Sequence, residues 1–279
     1  MFEILKYGFM QRALVSGIII SIICPMIGMF LVLRRMSMVG DSLSHVALAG
    51  VAASFLAGFH SIVGSIIFTI IAALGIEKLR KSYKEYAEVS IAIIHSGGIG
   101  LAVLLISMAK NINIDLMGYL FGSLTTIVEE DIYLMIILGM FIFTAILSLY
   151  NQLFYLAFDE ESARIAGINV EGINTFFTIL IALTISISMR VVGILLVSSL
   201  MVIPVATAIQ LEESFRKTLI LSIVFAFFSV IFGIFLSFYF ELAPGGIIVL
   251  LNVFLLVFII TYKTNKKKAL ELKDEKVSF

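Results

Sequence analysis

An aspartate and a histidine stand four residues apart in the stretch RRMSMVGDSLSHVALAG, at the start of an apolar segment. On a helix, positions i and i+4 share one face with Cβ atoms roughly 5–6 Å apart, so Asp41 and His45 can converge on one small cation. A carboxylate oxygen and an imidazole nitrogen suit zinc or manganese better than calcium or magnesium, which prefer oxygen ligands. A helix start is an equal alternative, in which Asp41 complements the helix macrodipole and His45 only packs.

A second histidine lies inside an apolar run, in the stretch SIAIIHSGGIG. His95 is a candidate third metal ligand or pathway residue, and the glycines after it allow another helix to approach closely. The alternative is a histidine that hydrogen-bonds to a neighbouring helix. Glu88, two helical turns earlier, lies on a similar face, but such a residue is more often a solvated charge at a helix start than a ligand.

Other isolated charges have a simpler interpretation. His60 lies in a short polar break and is predicted to be an exposed turn residue. The acidic run 129–131 and Glu241 are predicted to be solvated, although they could collect cations or dock a basic partner. Arg190, between two apolar runs, is either a surface anchor or the partner of a carboxylate inside the membrane.

The composition decides which solvent surrounds these residues. Apolar residues make up 61% of the 279-residue chain and charged residues 14%, with a mean hydropathy of +1.14. This predicts an integral membrane protein whose surroundings include membrane lipid. The 19 basic and 19 acidic residues cancel, so a nucleic-acid partner is not expected. The single cysteine, Cys24, excludes an internal disulfide framework and a thiolate zinc cluster.

Apolar runs of membrane-spanning length predict an all-α, polytopic fold with eight or nine crossings. The whole chain, 1–279, is predicted to be a single transmembrane domain. A further segment, 115–128, is too short to span comfortably and is predicted to be a re-entrant or short helix. The predicted spans are 12–33, 41–58, 61–77, 88–109, 132–150, 173–189, 191–211, 217–240 and 245–262.

Basic clusters predict which ends of the helices face the cytoplasm. Residues 78–84, the pair Arg216 and Lys217, and a basic tail at 263–279 are assigned to the inside, which places 110–113 and 241–246 outside. Arg34 and Arg35 also favour the inside, and so do Lys6 and Arg12 at the other end of the same run. This conflict predicts either that one nominal span does not cross or that the first 12 residues form an interfacial helix.

The longest polar stretch, about 151–172, has its own pattern. Acidic residues come first, a base follows and a glycine ends the run, which is typical of a short capped helix. On the cytoplasmic side, its exposed face could be held by another subunit, although a merely solvated connection fits the composition too. No nucleotide-binding loop, zinc-protease motif or serine-hydrolase motif is present, so the chain is not predicted to be an enzyme by itself.

The segments LVLRRMSMVGDSLSHVALAGVA, LAFDEESARIAGIN and MRVVGILLVSSLMVIPVATA resemble the permease subunits of ATP-binding-cassette importers for zinc and manganese. The resemblance covers nearly the whole chain in the same order. It implies a homodimer in the bacterial plasma membrane, a cytoplasmic ATPase subunit and an extracytoplasmic metal-binding protein. It makes Asp41 and His45 the transient metal site, with His95 as a weaker candidate. It also makes the polar stretch the helix that couples to the ATPase, with Asp159, Glu160, Glu161, Ala163, Arg164 and Gly167.

The resemblance also implies the cargo and the mechanism. NINIDLMGYLFGSL is more similar to the zinc branch than to the manganese branch, so zinc is expected as the transported ion, with manganese or iron as the alternative and no permanently bound cofactor. Alternating access would pass the metal across the membrane. A proton-driven secondary transporter that uses Asp41, His45 and His95 is a competing class. The lack of a readable inverted repeat argues against it.

Overall fold

The computed structural model describes residues 6–83, 87–109 and 115–277. The predictions made for Lys84 and for the loop 110–113 lie outside these residues. Within them the chain is helical without strands, which confirms the all-α prediction. The helices are α1 Gly8–Leu33, α2 Ser37–Ala57, α3 Ser61–Ser82, α4 Ala87–Met108, α5 Leu116–Phe121, α6 Glu129–Phe158, α7 Glu160–Ile165, α8 Val170–Val192, α9 Val197–Ile209, α10 Phe215–Phe240 and α11 Pro244–Val277.

Eight of the described helices are long and apolar enough to cross a membrane: α1, α2, α3, α4, α6, α8, α10 and α11. The run predicted as a ninth span, 191–211, is divided instead between the end of α8 and the 13-residue α9. At 1.5 Å per residue, α9 is about 20 Å long, which is less than the roughly 30 Å hydrocarbon core.

Close backbone contacts explain the break between α8 and α9. Gly193 has φ +88° and Gly122 has φ +83°, a backbone conformation that favours glycine. A Cβ on Gly193 would lie 2.4 Å from the Leu120 carbonyl oxygen, and one on Gly122 would lie 2.2 Å from that of Val191. The six-residue α5 therefore packs its backbone directly against the end of α8, as a short helix in place of a span.

Ion pairs identify the two ends of the helix bundle. At one end, Lys81 Nζ lies 2.9 Å from Glu171 Oε2, and Arg34 Nη2 lies 3.9 Å from Glu160 Oε2. Since Arg34 follows α1 at this basic end, Arg12 lies at the opposite end of the same helix. There its charge is compensated by Glu129, 3.9 Å away. Residues 8–12 belong to α1 itself, and residues 1–5, which the predicted interfacial helix also includes, lie outside the described part of the chain.

The position of α4 matters most for the site. Among the described spans, α1 and α8 are the most deeply buried, whereas α4 and α11 leave most of their surface open. α4 packs mainly against α2, and α2 packs in turn against α3. α4 therefore lies at the margin of the bundle and packs against the more deeply buried α2, with polar side chains between the two helices.

Candidate metal site

The geometry of α2 and α4 brings Asp41, His45 and His95 together. α2 begins at Ser37, so Asp41 lies one turn into the helix and His45 lies one further turn along the same face. α4 crosses α2 at Gly98, where a Cβ would lie 2.6 Å from Val46 Cγ2. This close approach places His95, one turn before Gly98, beside the α2 pair.

Among the described residues, these side chains form the one group of three or more histidine, cysteine, aspartate or glutamate residues placed closely enough to hold a metal ion. Each offers one ligand atom, and these atoms lie within 4.8 Å of one another. The imidazole rings of His45 and His95 meet edge to face, with centroids 4.6 Å apart. Two ligands at about 2.1 Å from a metal are at most about 4.2 Å apart, so only small side-chain movements separate this arrangement from coordination.

The ligand atoms have few competing contacts. His95 Nδ1 lies 3.8 Å from Asp41 Oδ2 and has no hydrogen-bond partner among the described residues. Ser198 Oγ donates to Asp41 Oδ1 over a long 3.5 Å. The side chains of Asp41 and His95 are 37% and 26% exposed, so an ion can reach them. Glu88 is exposed in the first turn of α4 and does not belong to the group.

A second aspartate–histidine pair lies at the end of the bundle opposite the basic end, beside the acidic run 129–131. Asp131 is fully buried, with His60 Nε2 at 3.3 Å and Arg190 Nε at 3.4 Å. Arg190 also donates to Ser61 Oγ at 2.9 Å and lies over the Tyr119 ring. His60 lies in the predicted turn, between α2 and α3, but the predicted exposure is wrong, because its imidazole is 28% exposed and pairs with a buried carboxylate.

The cluster of His60, Asp131 and Arg190 also decides between the alternatives predicted for the acidic run and for Arg190. Glu129 and Glu130 are exposed, as is Glu241, in agreement with the predicted solvated charges. Asp131 departs from that prediction because it starts α6 facing the protein interior. Two roles were predicted for Arg190, and in the structure it is the partner of a buried carboxylate. No spacing in the sequence links these residues, which come from three distant segments.

The predicted short capped helix in 151–172 is confirmed as α7. Asp159 accepts a hydrogen bond from the backbone N–H of Ser162 at 2.9 Å and another from its hydroxyl. These hydrogen bonds hold the pKa of the exposed Asp159 carboxyl below its usual value. Gly167, with φ +81°, lies just beyond the end of the helix. The sequence pattern thus located both ends of α7.

The two faces of α7 differ. Ala163 is buried against the bundle, whereas Glu161 is exposed. Glu160 Oε1 lies 3.8 Å from Arg164, one turn along the helix. The large apolar residue of the helix, Ile165, is 83% exposed. α7 therefore presents a mixed polar and apolar surface at the basic end of the bundle.

The contacts of Arg34 were not predicted from the sequence, where this residue was used only to assign the orientation of the helices. Its side chain is 4% exposed, and its Nη2 donates to Asn174 Oδ1 at 2.7 Å. Burial lowers the pKa of this guanidinium, and the nearby carboxylate of Glu160 opposes that change. The sequence contains only a weak signal for these contacts: the dipeptide Arg34-Arg35 follows an apolar run at the point where the chain turns back.

Comparison with known proteins matches this chain to a family of transport proteins. The profile of the ABC 3 transport family matches residues 6–263. A relative from Treponema pallidum, named "Probable metal transport system membrane protein", is 40% identical over 92% of this chain and 96% of its own length. The manganese transport system membrane protein MntC of Listeria innocua is 32% identical over 98% of this chain and 96% of its own length.

A solved structure has the same fold. PsaBC from Streptococcus pneumoniae, in complex with Fab, superposes with a TM-score of 0.82 at 30% identity. The match covers 92% of this chain and 93% of that one. An inward-facing metal-chelate type ABC transporter matches with a TM-score of 0.66 at 15% identity, over 90% of this chain and 85% of that one, and supports the fold alone.

Proposed function

This chain belongs to the ABC 3 transport family, and we propose that its cargo is a divalent transition metal ion that Asp41, His45 and His95 bind in passage. As an ABC-type metal importer permease, it is a transport subunit and not itself an enzyme, and it is a multi-pass protein of the bacterial plasma membrane. The observation that supports the three ligands best is their convergence within 4.8 Å. No lysine or arginine forms an ion pair with Asp41 among the described residues, so its charge is available to a cation.

We propose manganese as the first cargo and zinc as the second. A carboxylate beside imidazoles can bind either ion, and two imidazoles of three ligands favour zinc. The names of the relatives favour manganese: MntC of Listeria innocua and the manganese import permease ScaB of Streptococcus parasanguinis, the latter 31% identical over 94% of this chain. A relative in Haemophilus influenzae is named for iron, which keeps the cargo within the same class of ion.

The proposed mechanism is alternating access with separate partner subunits. An extracytoplasmic binding protein would deliver the ion, and two copies of this chain would bring two ligand sets toward a common axis. A site without thiolates binds borderline metals less tightly than a cysteine site, which suits release on the far side. A cytoplasmic ATPase subunit would bind α7 and move it. The exposed Ile165 and Glu161 are suited to that contact because they leave apolar and acidic groups open to a partner.

Uptake into vesicles tests this proposal. The chain is reconstituted with its ATPase subunit, the binding protein is added, and the entry of radioactive manganese or zinc is measured with ATP or with an imposed proton gradient. We expect ATP to drive uptake and unlabelled manganese to compete more strongly than zinc. Uptake that follows the proton gradient and ignores ATP would contradict the importer and support the secondary-transporter alternative. Stronger competition by zinc would reverse the order of the two cargoes only.

A further inference from the structure

The turn between α1 and α2 joins the metal-site helix to the basic end of the bundle. Arg34, Arg35 and Met36 form this three-residue turn, and Asp41 lies only five residues after Met36. Arg35 has φ +54°, which is uncommon for a residue with a side chain. The Met36 N–H donates to the Leu31 carbonyl at 2.9 Å. A displacement of Arg34 would therefore pass through a short, constrained segment to Asp41.

Arg34 is also the point where α7 approaches this turn. α7 packs against α6 and α8, and its Glu160 carboxylate reaches Arg34 Nη2 at 3.9 Å. Asn174 of α8 holds the same nitrogen at 2.7 Å, and Phe177 lies beneath the guanidinium. Arg34 thus contacts α7 through a charge and α8 through a hydrogen bond and a ring.

The Arg34 guanidinium has an unused donor. Its Nη1 is buried and has no hydrogen-bond partner among the described residues, which is unusual because buried polar groups are generally paired. The neighbouring carboxylate of Glu77 already accepts from Arg80 at 3.1 Å and from Thr178 at 2.9 Å. Glu160 borders a cleft of about 280 Å³ that gives it room to move. A shift of about 1 Å would bring its carboxylate from 3.9 Å into hydrogen-bonding range of the guanidinium.

We propose that Arg34 is a positioning residue that links Glu160 on α7 to the α1–α2 turn, so that movement of α7 changes the position of Asp41 in the metal site. The part played by the ATPase in moving α7 rests on the proposed function. The link itself is a property of this chain alone. Arg34 suits the task because a buried guanidinium that loses a counter-charge is strongly disfavoured. Of the two carboxylates near it, Glu77 is held by Arg80 and Thr178, so Glu160 is the one that can move.

Hydrogen–deuterium exchange on the purified chain tests the link without any partner. The substitution is Glu160→Gln, and the readout is exchange at the backbone amides of Arg35, Met36 and Val39, all of which are hydrogen-bonded in the turn. We expect about tenfold faster exchange at these amides, because the buried charge loses the stronger of its two nearby carboxylates and keeps only Glu77, so the turn opens more often. Glu160→Asp, which keeps the charge, is expected to restore most of the protection.

A matched control removes the same charge elsewhere at the basic end. Glu213 is 43% exposed, similar to the 47% of Glu160, and it pairs with exposed Lys217 at 2.9 Å. Glu213→Gln is expected to change exchange at the α1–α2 turn by less than twofold. Equal effects of the two substitutions, or faster exchange spread over all helices after Glu160→Gln, would overturn the link.

The complete transporter gives the second readout. In vesicles with the ATPase subunit, we expect Arg34→Gln, which breaks the link but leaves α7 itself unchanged, to lower metal transported per ATP hydrolysed at least threefold. Co-purification of the ATPase is expected to stay unchanged, because the Arg34 side chain is only 4% exposed. An unchanged ratio would overturn the positioning role of Arg34. If the unsubstituted transporter shows no ATP-dependent uptake, the proposed function fails, and the exchange measurement still decides whether Glu160 controls the turn.

Discussion

Asp41 and Asp131 each lie within 4 Å of a histidine, at 3.8 Å and 3.3 Å, but their surroundings differ in charge and exposure. Asp131 is fully buried and has Arg190 at 3.4 Å, so its negative charge is already compensated. Asp41 is partly exposed, and its neighbours are two imidazoles and a hydroxyl. A divalent ion at Asp131 would be repelled by Arg190, whereas one at Asp41 meets no fixed positive charge. The counter-charge, and not the residue types, separates a structural pair from a candidate metal site.

The largest expected effect is on the stability of the structural pair. Asp131→Asn removes the charge that compensates Arg190, whose side chain is 12% exposed, and we expect a loss of roughly 3 kcal/mol in the free energy of unfolding. Denaturant titration of the purified chain measures it. Glu129→Gln, which changes an exposed neighbour, is the control and is expected to stay within about 0.5 kcal/mol of the unsubstituted chain. Equal stability of the two variants would mean that Asp131 and Arg190 do not depend on each other.

The same substitution at Asp41 is expected to have the opposite signature. Asp41→Asn removes the anionic ligand, and we expect metal to bind about 100-fold more weakly, while unfolding stays within about 0.5 kcal/mol. Titration calorimetry with manganese and with zinc measures the affinity. Glu88→Gln, on the exposed first turn of α4, should leave it unchanged. Unaltered metal binding in Asp41→Asn would remove this residue from the ligand set.

More of the candidate metal site than of the Asp131–His60 pair could be predicted from the sequence. Asp41 and His45 share one helix, so their spacing alone places them together. His95 was only a candidate, because the α4 face that meets α2 depends on which of three glycines lies at the crossing. A Cβ on Gly98 would clash with Val46, while Gly97 and Gly100 face open space. That choice is made by three-dimensional packing and not by the local pattern.

The cluster around Asp131 and the break between α8 and α9 could not be predicted from the sequence. His60, Asp131 and Arg190 come from separate segments, and each alone resembles a surface charge. The spans were predicted well because apolar length is a local property. The segment 191–211 was predicted as one continuous span, but the positive φ of Gly193, which depends on contact with α5, ends α8 there and leaves the 13-residue α9.

Substitution of one histidine in each region, His95 and His60, is expected to give smaller effects of the same two kinds. His95→Ala removes one of three ligands, and we expect about tenfold weaker metal binding with little change in stability. His60→Ala removes a contact of buried Asp131, and we expect about 1–2 kcal/mol lower stability with unchanged metal affinity. Calorimetry and denaturant titration on both variants give four values. Weaker metal binding in His60→Ala would show that the two regions are coupled.

The smallest expected effect concerns the crossing that brings His95 to α2. In Gly98→Ala, the new Cβ would lie 2.6 Å from Val46 Cγ2 and 3.2 Å from the Val46 backbone nitrogen. The Val46 side chain can move, but the backbone contact requires α4 to shift by a few tenths of an ångström. We therefore expect about 1 kcal/mol lower stability and metal binding weakened by a few-fold, because His95 moves away with the helix.

Gly97→Ala separates packing at the crossing from the general effect of placing alanine in α4. Its Cβ would meet no atom within 4 Å, and alanine is the better helix former by about 1 kcal/mol. We expect unchanged or higher stability and unchanged metal affinity. If the two substitutions weakened metal binding equally, the approach at Gly98 would not be what places His95, and flexibility of α4 as a whole would account for the effect instead.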